Sequence, residues 1–153
     1  MLCKTNKNNI YLESIDINKL KQNIDHKNII NKDKNGKYLY QSREYKILNY
    51  KIEPIIYFTI KYEKDSIEIN CEKIDLNIHS KLNYLIKIYI NVKITKLSKG
   101  IKLQRVMELC LPNDQSFKIM PYAIKEFLLD KATSISSKRF DKRLTKKILE
   151  LCN

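Results

Sequence analysis

Apolar and polar residues alternate along the middle of the chain, over residues 37–111. The clearest run has tyrosine, isoleucine or valine at every second position from 84 to 94, with lysine or asparagine at three of the five positions between them. Strict alternation is typical of antiparallel strands that have one buried and one solvated face. Similar runs predict strands over 50–62, 67–78 and 101–111, joined in part by turns at 63–66 and 97–100.

Residues with helical spacing come before this series of strands. Asp16 is a favourable N-cap, and isoleucine and leucine follow it at positions 17, 20 and 24. This pattern predicts a short helix after a first strand at residues 10–14. Residues 4–9 are polar, and residues 1–9 are predicted to form a flexible tail.

A long helix is predicted at the C-terminal end. Pro112 ends the last strand, and Pro121 stands at the first helical position, where its missing N–H costs nothing. At about 100° per residue, the apolar stripe of the first half and that of the second half point to nearly opposite sides. The first stripe contains Ile124, Leu128 and Ile135, and the second contains Phe140, Leu144, Ile148 and Leu151. We therefore predict a kink or a break near residues 133–137; the alternative is a second half that packs against something else.

Together these elements predict one α+β domain over all 153 residues. The expected architecture is a curved antiparallel sheet of about six to seven strands that grips the long C-terminal helix, with a short helix after strand 1. A sheet with one apolar face needs a cover, and the last helix is the available one.

The large positive charge of the chain is weaker evidence for an anionic partner than its magnitude suggests. The formal net charge is +13, but only four of the 30 basic residues are arginine, and isoleucine, asparagine, lysine and tyrosine are all abundant. This composition is typical of an A/T-rich genome, whereas nucleic-acid readers favour the planar fork of arginine. We interpret much of the charge as compositional and keep nucleic-acid binding as an alternative.

No arrangement of residues indicates catalysis or a metal. Two glycines are too few for a phosphate-binding loop, and the carboxylates are scattered, so we expect a protein that is not an enzyme and has no cofactor. His26 and His79 do not complete a zinc site with the cysteines, which we predict to be reduced and mostly buried. The cysteines stand far apart, at Cys3, Cys71, Cys110 and Cys152.

No apolar run is long enough to span a bilayer, which requires about 20 residues. The start of the chain also lacks the contiguous apolar segment of a signal peptide. We expect the protein to work in the compartment where it is made, the cytoplasm, or the plastid stroma if the gene lies in that organelle.

Two segments carry a resemblance to known proteins: YKILNYKIEPIIYFTIKYEKDSIEINCEKIDL and LCLPNDQSFKIMPYAIKEFLLDKATSISSKRFDKRLTKKILE. They resemble the START-like, or helix-grip, fold, and in particular a family of unknown function found in cyanobacteria and plant chloroplasts. That family shares the proline of the strand pair, the strand ending at proline, the F-x-x-M-P corner and the basic helix. The chain differs by shorter connections between strands and by Ala132 or Ser134 in the region of a helix glycine. The resemblance implies a cavity between sheet and helix that holds a hydrophobic ligand, and it carries over no catalytic residue.

We therefore expect the chain to bind a lipid or another hydrophobic small molecule; a filled core without a cavity is the alternative. Arg105 takes the apolar parity of its strand, so we predict it as a polar anchor for a carboxylate or phosphate. The alternative is a β-bulge or a strand end at which Arg105 reaches water. The predicted cavity residues are Ile52, Ile56, Phe58, Ile86, Ile88, Ile90, Val92, Leu103, Arg105, Met107, Ile124 and Leu128.

A basic cluster on the last helix is the other candidate site. Its lysines and arginines recur at i and i+4, a spacing that suits an anionic membrane surface or nucleic acid. The alternative is a solvated helix face in a lysine-rich chain. The cluster consists of Lys138, Arg139, Lys142, Arg143, Lys146 and Lys147.

Overall fold

The computed structural model describes residues 2–26, 31–32, 37–41, 44–47, 50–75, 87–111 and 122–152. The elements in these ranges are β1 (Leu2–Leu12), α1 (Ile17–His26), β2 (Asn31–Lys32), β3 (Tyr38–Gln41), β4 (Tyr45–Ile47), β5 (Tyr50–Ile52), β6 (Ile55–Tyr62), β7 (Ser66–Asp75), β8 (Lys87–Lys96), β9 (Ile101–Leu111) and α2 (Tyr122–Cys152). Three residues considered above lie outside the described residues: Pro112, Pro121 and His79.

The predicted α+β fold class is confirmed. Seven strands form one curved antiparallel sheet in the order β1-β9-β8-β7-β6-β3-β2, and β4 pairs with β5 in a separate two-stranded sheet. The short helix α1 follows the first strand, and the long helix α2 packs on the sheet along β1 and β9. This arrangement is compatible with a helix-grip fold.

Alternation along the strands divides the sheet as predicted. On β8, Ile90, Val92 and Ile94 are buried, whereas Lys87 and Lys93 are exposed. The buried face belongs to one core that α1 also enters through apolar side chains. The sheet therefore has one face covered by helices and one face in water.

The two predicted turns lie where the sequence puts them. Glu63 N–H donates to the carbonyl of Ser66 over 2.9 Å, and Leu97 N–H donates to that of Gly100 over 2.9 Å. Gly100 has φ 94°, and a Cβ there would lie 2.1 Å from the carbonyl oxygen of Leu12. Only glycine fits this position without strain.

The first helix begins as predicted. The side chain of Asp16 accepts a hydrogen bond from the backbone N–H of Asn18 over 2.9 Å, which satisfies one of the open donors at the helix start. Leu20 is fully buried. Near the other end, the Asn23 side chain donates to the Leu151 carbonyl of α2, so the two helices are joined.

The N-terminal tract differs from its prediction. Residues 2–9, expected to be flexible, form most of β1, which pairs with β9 throughout its length. Sheet pairing uses backbone N–H and C=O groups, which a polar segment carries as well as an apolar one. Side chains add to the pairing, because the Lys4 ammonium lies 2.9 Å from Glu126 of α2.

The cysteines also differ from the prediction of reduced thiols. Cys3 on β1 stands directly opposite Cys110 on β9, and the two form a disulfide across 107 residues of sequence, with Cα atoms 4.1 Å apart. The disulfide could not be predicted from the spacing of the cysteines, because only the strand register brings these two distant residues together. Cys71 and Cys152 are not disulfide-bonded.

Helix α2 is continuous from Tyr122 to Cys152, so the predicted break near residues 133–137 is not found. Thr133 donates to the Leu129 carbonyl over 2.7 Å, and Ser137 donates to the Thr133 carbonyl over 2.6 Å. These hydroxyls are satisfied within the helix, so their side chains can be buried against the sheet. The buried face of this part of α2 therefore consists largely of small residues instead of the stripe of large apolar residues that the helical spacing predicts.

We predict that reduction of the Cys3–Cys110 disulfide lowers the free energy of unfolding by about 2–4 kcal/mol, because the bond restricts the unfolded chain. Urea unfolding with and without a reductant measures the change. The Cys152→Ser variant, which keeps the disulfide, should show the same loss on reduction. Four reactive thiols in the denatured, unreduced protein would contradict the bond.

Candidate ligand-binding cavity

A cavity of about 160 Å³ lies between the sheet and the C-terminal half of α2. Its floor is formed by β6, β7 and β8, with Tyr40 of β3 at one side and α1 at another. Most lining side chains are isoleucine, leucine or an aromatic residue. Besides the residues predicted from the sequence, the apolar lining includes Leu20, Ile24, Pro54, Ile60, Ile69, Ile74, Ile94, Phe140, Leu144, Ile148 and Leu151.

The structure brings together part of the predicted cavity set. The predicted residues that line the cavity are Ile56, Phe58, Ile88, Ile90 and Met107. They come from β6, β8 and β9, whose apolar parity the sequence shows clearly. Alternation alone therefore identifies much of the cavity floor.

The other predicted cavity residues lie elsewhere or are not described. Val92 and Leu103 are fully buried in the core, outside the cavity lining. The side chain of Ile52 is not among those described, and Ile86 lies outside the described residues. The cavity floor therefore contains only some of the residues that have the apolar parity of the strands.

Ile124 and Leu128 need a correction, because neither lines the cavity. The side chain of Ile124 is 48% exposed, and Leu128 is half-buried. The buried face of α2 in this region is made instead of Leu129 and small residues, which let the helix approach the sheet closely. The large apolar side chains of this part of α2 therefore indicate the wrong face of the helix.

Arg105 needs the second correction: it is buried, but its charge is already balanced. Its guanidinium donates to both carboxylate oxygens of Asp141 on α2, from Nε over 2.7 Å and from Nη2 over 2.6 Å. Its Nη1 donates to the backbone and side-chain oxygens of Asn6 on β1, each over 2.8 Å. Arg105 therefore neither lines the cavity nor reaches water; it ties α2 to the sheet.

The environment of this ion pair makes it a strong constraint. The side chain of Arg105 is 2% exposed, and that of Asp141 is 14% exposed. Asn8 donates a further hydrogen bond to Asp141 over 2.9 Å. A charge buried this deeply is tolerated only with a well-placed partner, so α2 must keep Asp141 above Arg105.

The predicted basic cluster divides between two surfaces of α2. Arg139, Arg143 and Lys147 line the cavity, and the remaining three lysines are exposed. The division follows from helix geometry, because residues four apart share a stripe and neighbouring residues do not. The exposed stripe consists of Lys138, Lys142 and Lys146.

Three further polar side chains face the cavity. Arg143 donates to the hydroxyl oxygen of Tyr40 over 3.2 Å, which joins α2 to β3. Ser136 is buried, and its hydroxyl has no hydrogen-bond partner among the described residues. Burial raises the pKa of the Cys71 thiol to about 12, so at neutral pH this group stays protonated and is a poor nucleophile. No local sequence pattern links Tyr40, Ser136 or Cys71 to the helix cations, so these three residues could not be predicted as part of the site.

Within the described ranges, Cys3, Glu108 and Cys110 form the group whose ligand atoms lie close enough to hold a metal. The two sulfur atoms are bonded to each other in the disulfide. A metal would need both as thiolates, so the disulfide form does not provide this site.

The chain matches no protein-family model, and no curated protein matches it. Among the described residues, none of the helices combines the length and the apolar character needed to cross a membrane.

We predict that Asp141→Asn lowers the free energy of unfolding by about 3–5 kcal/mol, because it leaves the Arg105 charge buried without its partner. Replacing both residues, as in Arg105→Met with Asp141→Leu, should recover much of that loss. Urea unfolding measures both effects.

The matched control for this prediction is Glu126→Gln, which breaks the more exposed pair with Lys4 and should change stability far less than Asp141→Asn does. A loss in Asp141→Asn no larger than in this control would show that the buried pair does not hold the helix.

Proposed function

We propose that this chain is a non-enzymatic, START-like domain that binds a lipid or another hydrophobic small molecule between its sheet and α2. The observation that carries the proposal is the apolar cavity of about 160 Å³. Protein interiors pack as densely as organic crystals and contain few voids larger than a water molecule. An apolar cavity of this size is therefore a feature that needs a physical reason.

The size of the cavity suits a small apolar group. An engineered apolar cavity of about 150 Å³ in another protein stays dry and takes up benzene. The present cavity is of similar volume, and its floor carries Phe58, Ile88 and Ile90. Burial of apolar surface against such walls contributes about 25 cal/mol per Å², which favours an aromatic ring or an alkyl chain.

The chemistry of the lining supports binding more than catalysis. The Cys71 thiol, whose pKa is raised by burial, is held in its unreactive form. The polar groups on the wall formed by α2 are cations and a hydroxyl, which bind and orient a ligand.

We predict that Ile88→Trp fills the cavity and weakens binding of the neutral fluorescent probe N-phenyl-1-naphthylamine at least about tenfold, because the ring occupies the probe's volume. The matched control is Tyr89→Trp on the same strand. That side chain is 46% exposed on the opposite face, so binding should stay unchanged. Probe fluorescence measures binding, and circular dichroism checks folding.

A second filling variant, Ile60→Trp, changes another lining position and should weaken binding in the same way. It shows whether the effect of Ile88→Trp comes from a packing defect specific to residue 88. If the unmodified protein does not bind the probe, or if both filling variants are folded and bind it as the control does, the proposal is wrong.

A second candidate function is nucleic-acid binding, and one observation favours it. Lys138, Lys142 and Lys146 are exposed together on one stripe of α2. Against this candidate, the cluster's two arginines line the cavity and are half-buried, so they do not belong to the exposed stripe.

We predict that salt separates the two candidates. Binding of the neutral probe should be unchanged between about 50 and 200 mM salt, whereas phosphate contacts weaken steeply over that range. Titration of a labelled 20-nucleotide RNA provides the comparison. Tight RNA binding that falls with salt and is lost when the three exposed lysines become glutamine would favour the second candidate.

The expected compartment stays a prediction. The Cys3–Cys110 disulfide weighs against a strongly reducing cytoplasm, because structural disulfides persist mainly in oxidising compartments. Alkylation of the thiols in intact cells, before lysis, would distinguish the bonded from the reduced state.

A further inference from the structure

We propose that the ligand of this cavity is an anionic amphiphile, and that Arg143 and Lys147 bind its carboxylate or phosphate head while the apolar walls bind its body. This inference rests on the proposed function and names the class of ligand. Its site is the wall formed by α2, where Ser136 completes the set of polar groups.

The cations form a row along one wall. Arg139, Arg143 and Lys147 are spaced by four residues, so each follows the last by about 6 Å along the helix axis. All three line the cavity, whose opposite wall is the apolar floor around Phe58 and Ile90. A molecule in this space therefore meets positive charge on one side and hydrocarbon on the other, as an anionic amphiphile requires.

The charges of Arg143 and Lys147 are not balanced by a protein carboxylate within the described residues. Neither Arg143 nor Lys147 has a carboxylate within 4.0 Å in that part of the chain. Arg143 donates to a hydroxyl group, that of Tyr40, and not to a carboxylate. Arg105 provides the contrast, since its charge is matched by the two oxygens of Asp141. The chain thus neutralises one arginine and leaves another available at the cavity.

Ser136 is an independent indication of a ligand. It is 5% exposed, it lines the cavity, and its hydroxyl lacks a hydrogen-bond partner among the described residues. Thr133 and Ser137, which are also buried on α2, both donate to a carbonyl one turn earlier. A buried hydroxyl without a partner costs about 1–3 kcal/mol, and an oxygen of a bound head group would remove that cost.

The geometry of the side chains favours an oxyanion. The guanidinium fork pairs with carboxylate or phosphate through two parallel hydrogen bonds, and such charged bonds are about twice as strong as neutral ones. Partial burial of Arg143 and Lys147 strengthens the attraction relative to bulk water, because the effective dielectric constant is lower there. A neutral lipophile would give Arg143 and Lys147 no anionic partner, and a cationic one would be repelled.

Four ligands with the same eight-carbon chain test the inference by calorimetric titration: octanoate, octyl phosphate, 1-octanol and octylamine. We expect the tighter of the two anions to bind at least about tenfold more strongly than octanol, and octylamine to bind most weakly. The tighter anion identifies the head group as carboxylate or phosphate.

The possible results separate the two proposals. Equal affinity for octanol and both anions would overturn the present inference and leave the proposed function intact. Failure of all four ligands and of the neutral naphthylamine probe would overturn both.

Variants assign the head-group site to named residues. In Arg143→Gln the preference for the anion over octanol should fall about tenfold, whereas octanol affinity stays the same. Arg143→Lys should keep most of the preference, because the charge is retained. The matched control is Lys146→Gln on the exposed stripe, which should bind all four ligands as the unmodified chain does.

Tyr40→Phe removes the hydroxyl that Arg143 contacts but keeps the charge, so it should preserve the anion preference. A preference that persists in the double variant Arg143→Gln, Lys147→Gln would overturn the assignment, as would a loss in Tyr40→Phe equal to that in Arg143→Gln.

Ser136→Ala tests whether Ser136 contacts the ligand, because a purely structural role predicts no change in anion affinity. It should weaken binding of the anion and leave the free protein as stable or more stable, because the buried hydroxyl is removed. Loss of stability without change in anion affinity would exclude Ser136 from the site.

Discussion

The ion pair between Arg105 and Asp141 is the constraint on which the arrangement of sheet and helix depends. Burial of a guanidinium that is only 2% exposed is tolerated only if its partner stays in place, and that partner is on α2. The pair holds the helix over β1 and β9, at one side of the sheet. The space above β6, β7 and β8 is then bounded by the larger side chains of the helix's C-terminal half and by Leu20 and Ile24 of α1. The cavity lies in that space.

The same helix therefore carries two different electrostatic roles within a few residues. Asp141 neutralises the arginine of the sheet, whereas Arg139 and Arg143, on either side of it in sequence, line the cavity. Small buried residues one to two turns earlier allow the close approach that brings Asp141 to Arg105. The position of α2 on the sheet therefore depends both on the ion pair of Asp141 and on the close packing of the small residues before it.

Much of the sheet could be predicted because its signals are local. Alternation identifies the buried residues of β8, and Asp16 and Gly100 carry their own conformational preferences. The remaining features depend on distant parts of the chain. Strand register pairs Cys3 with Cys110, and α2 brings Asp141 to Arg105, 36 residues away in sequence. The small side chains that face the sheet give no hydrophobic signal, so the burial of α2 could not be predicted from apolar spacing.

Mass spectrometry of solvent extracts from the protein purified from its native source tests the central claim most directly. Binding between sheet and helix predicts an acidic lipophile that co-purifies in nearly equal molar amount. The Ile88→Trp variant, expressed in the same cells and purified in parallel, should carry far less of it. A lipophile content no higher in the unmodified protein than in that variant would contradict a ligand-binding cavity.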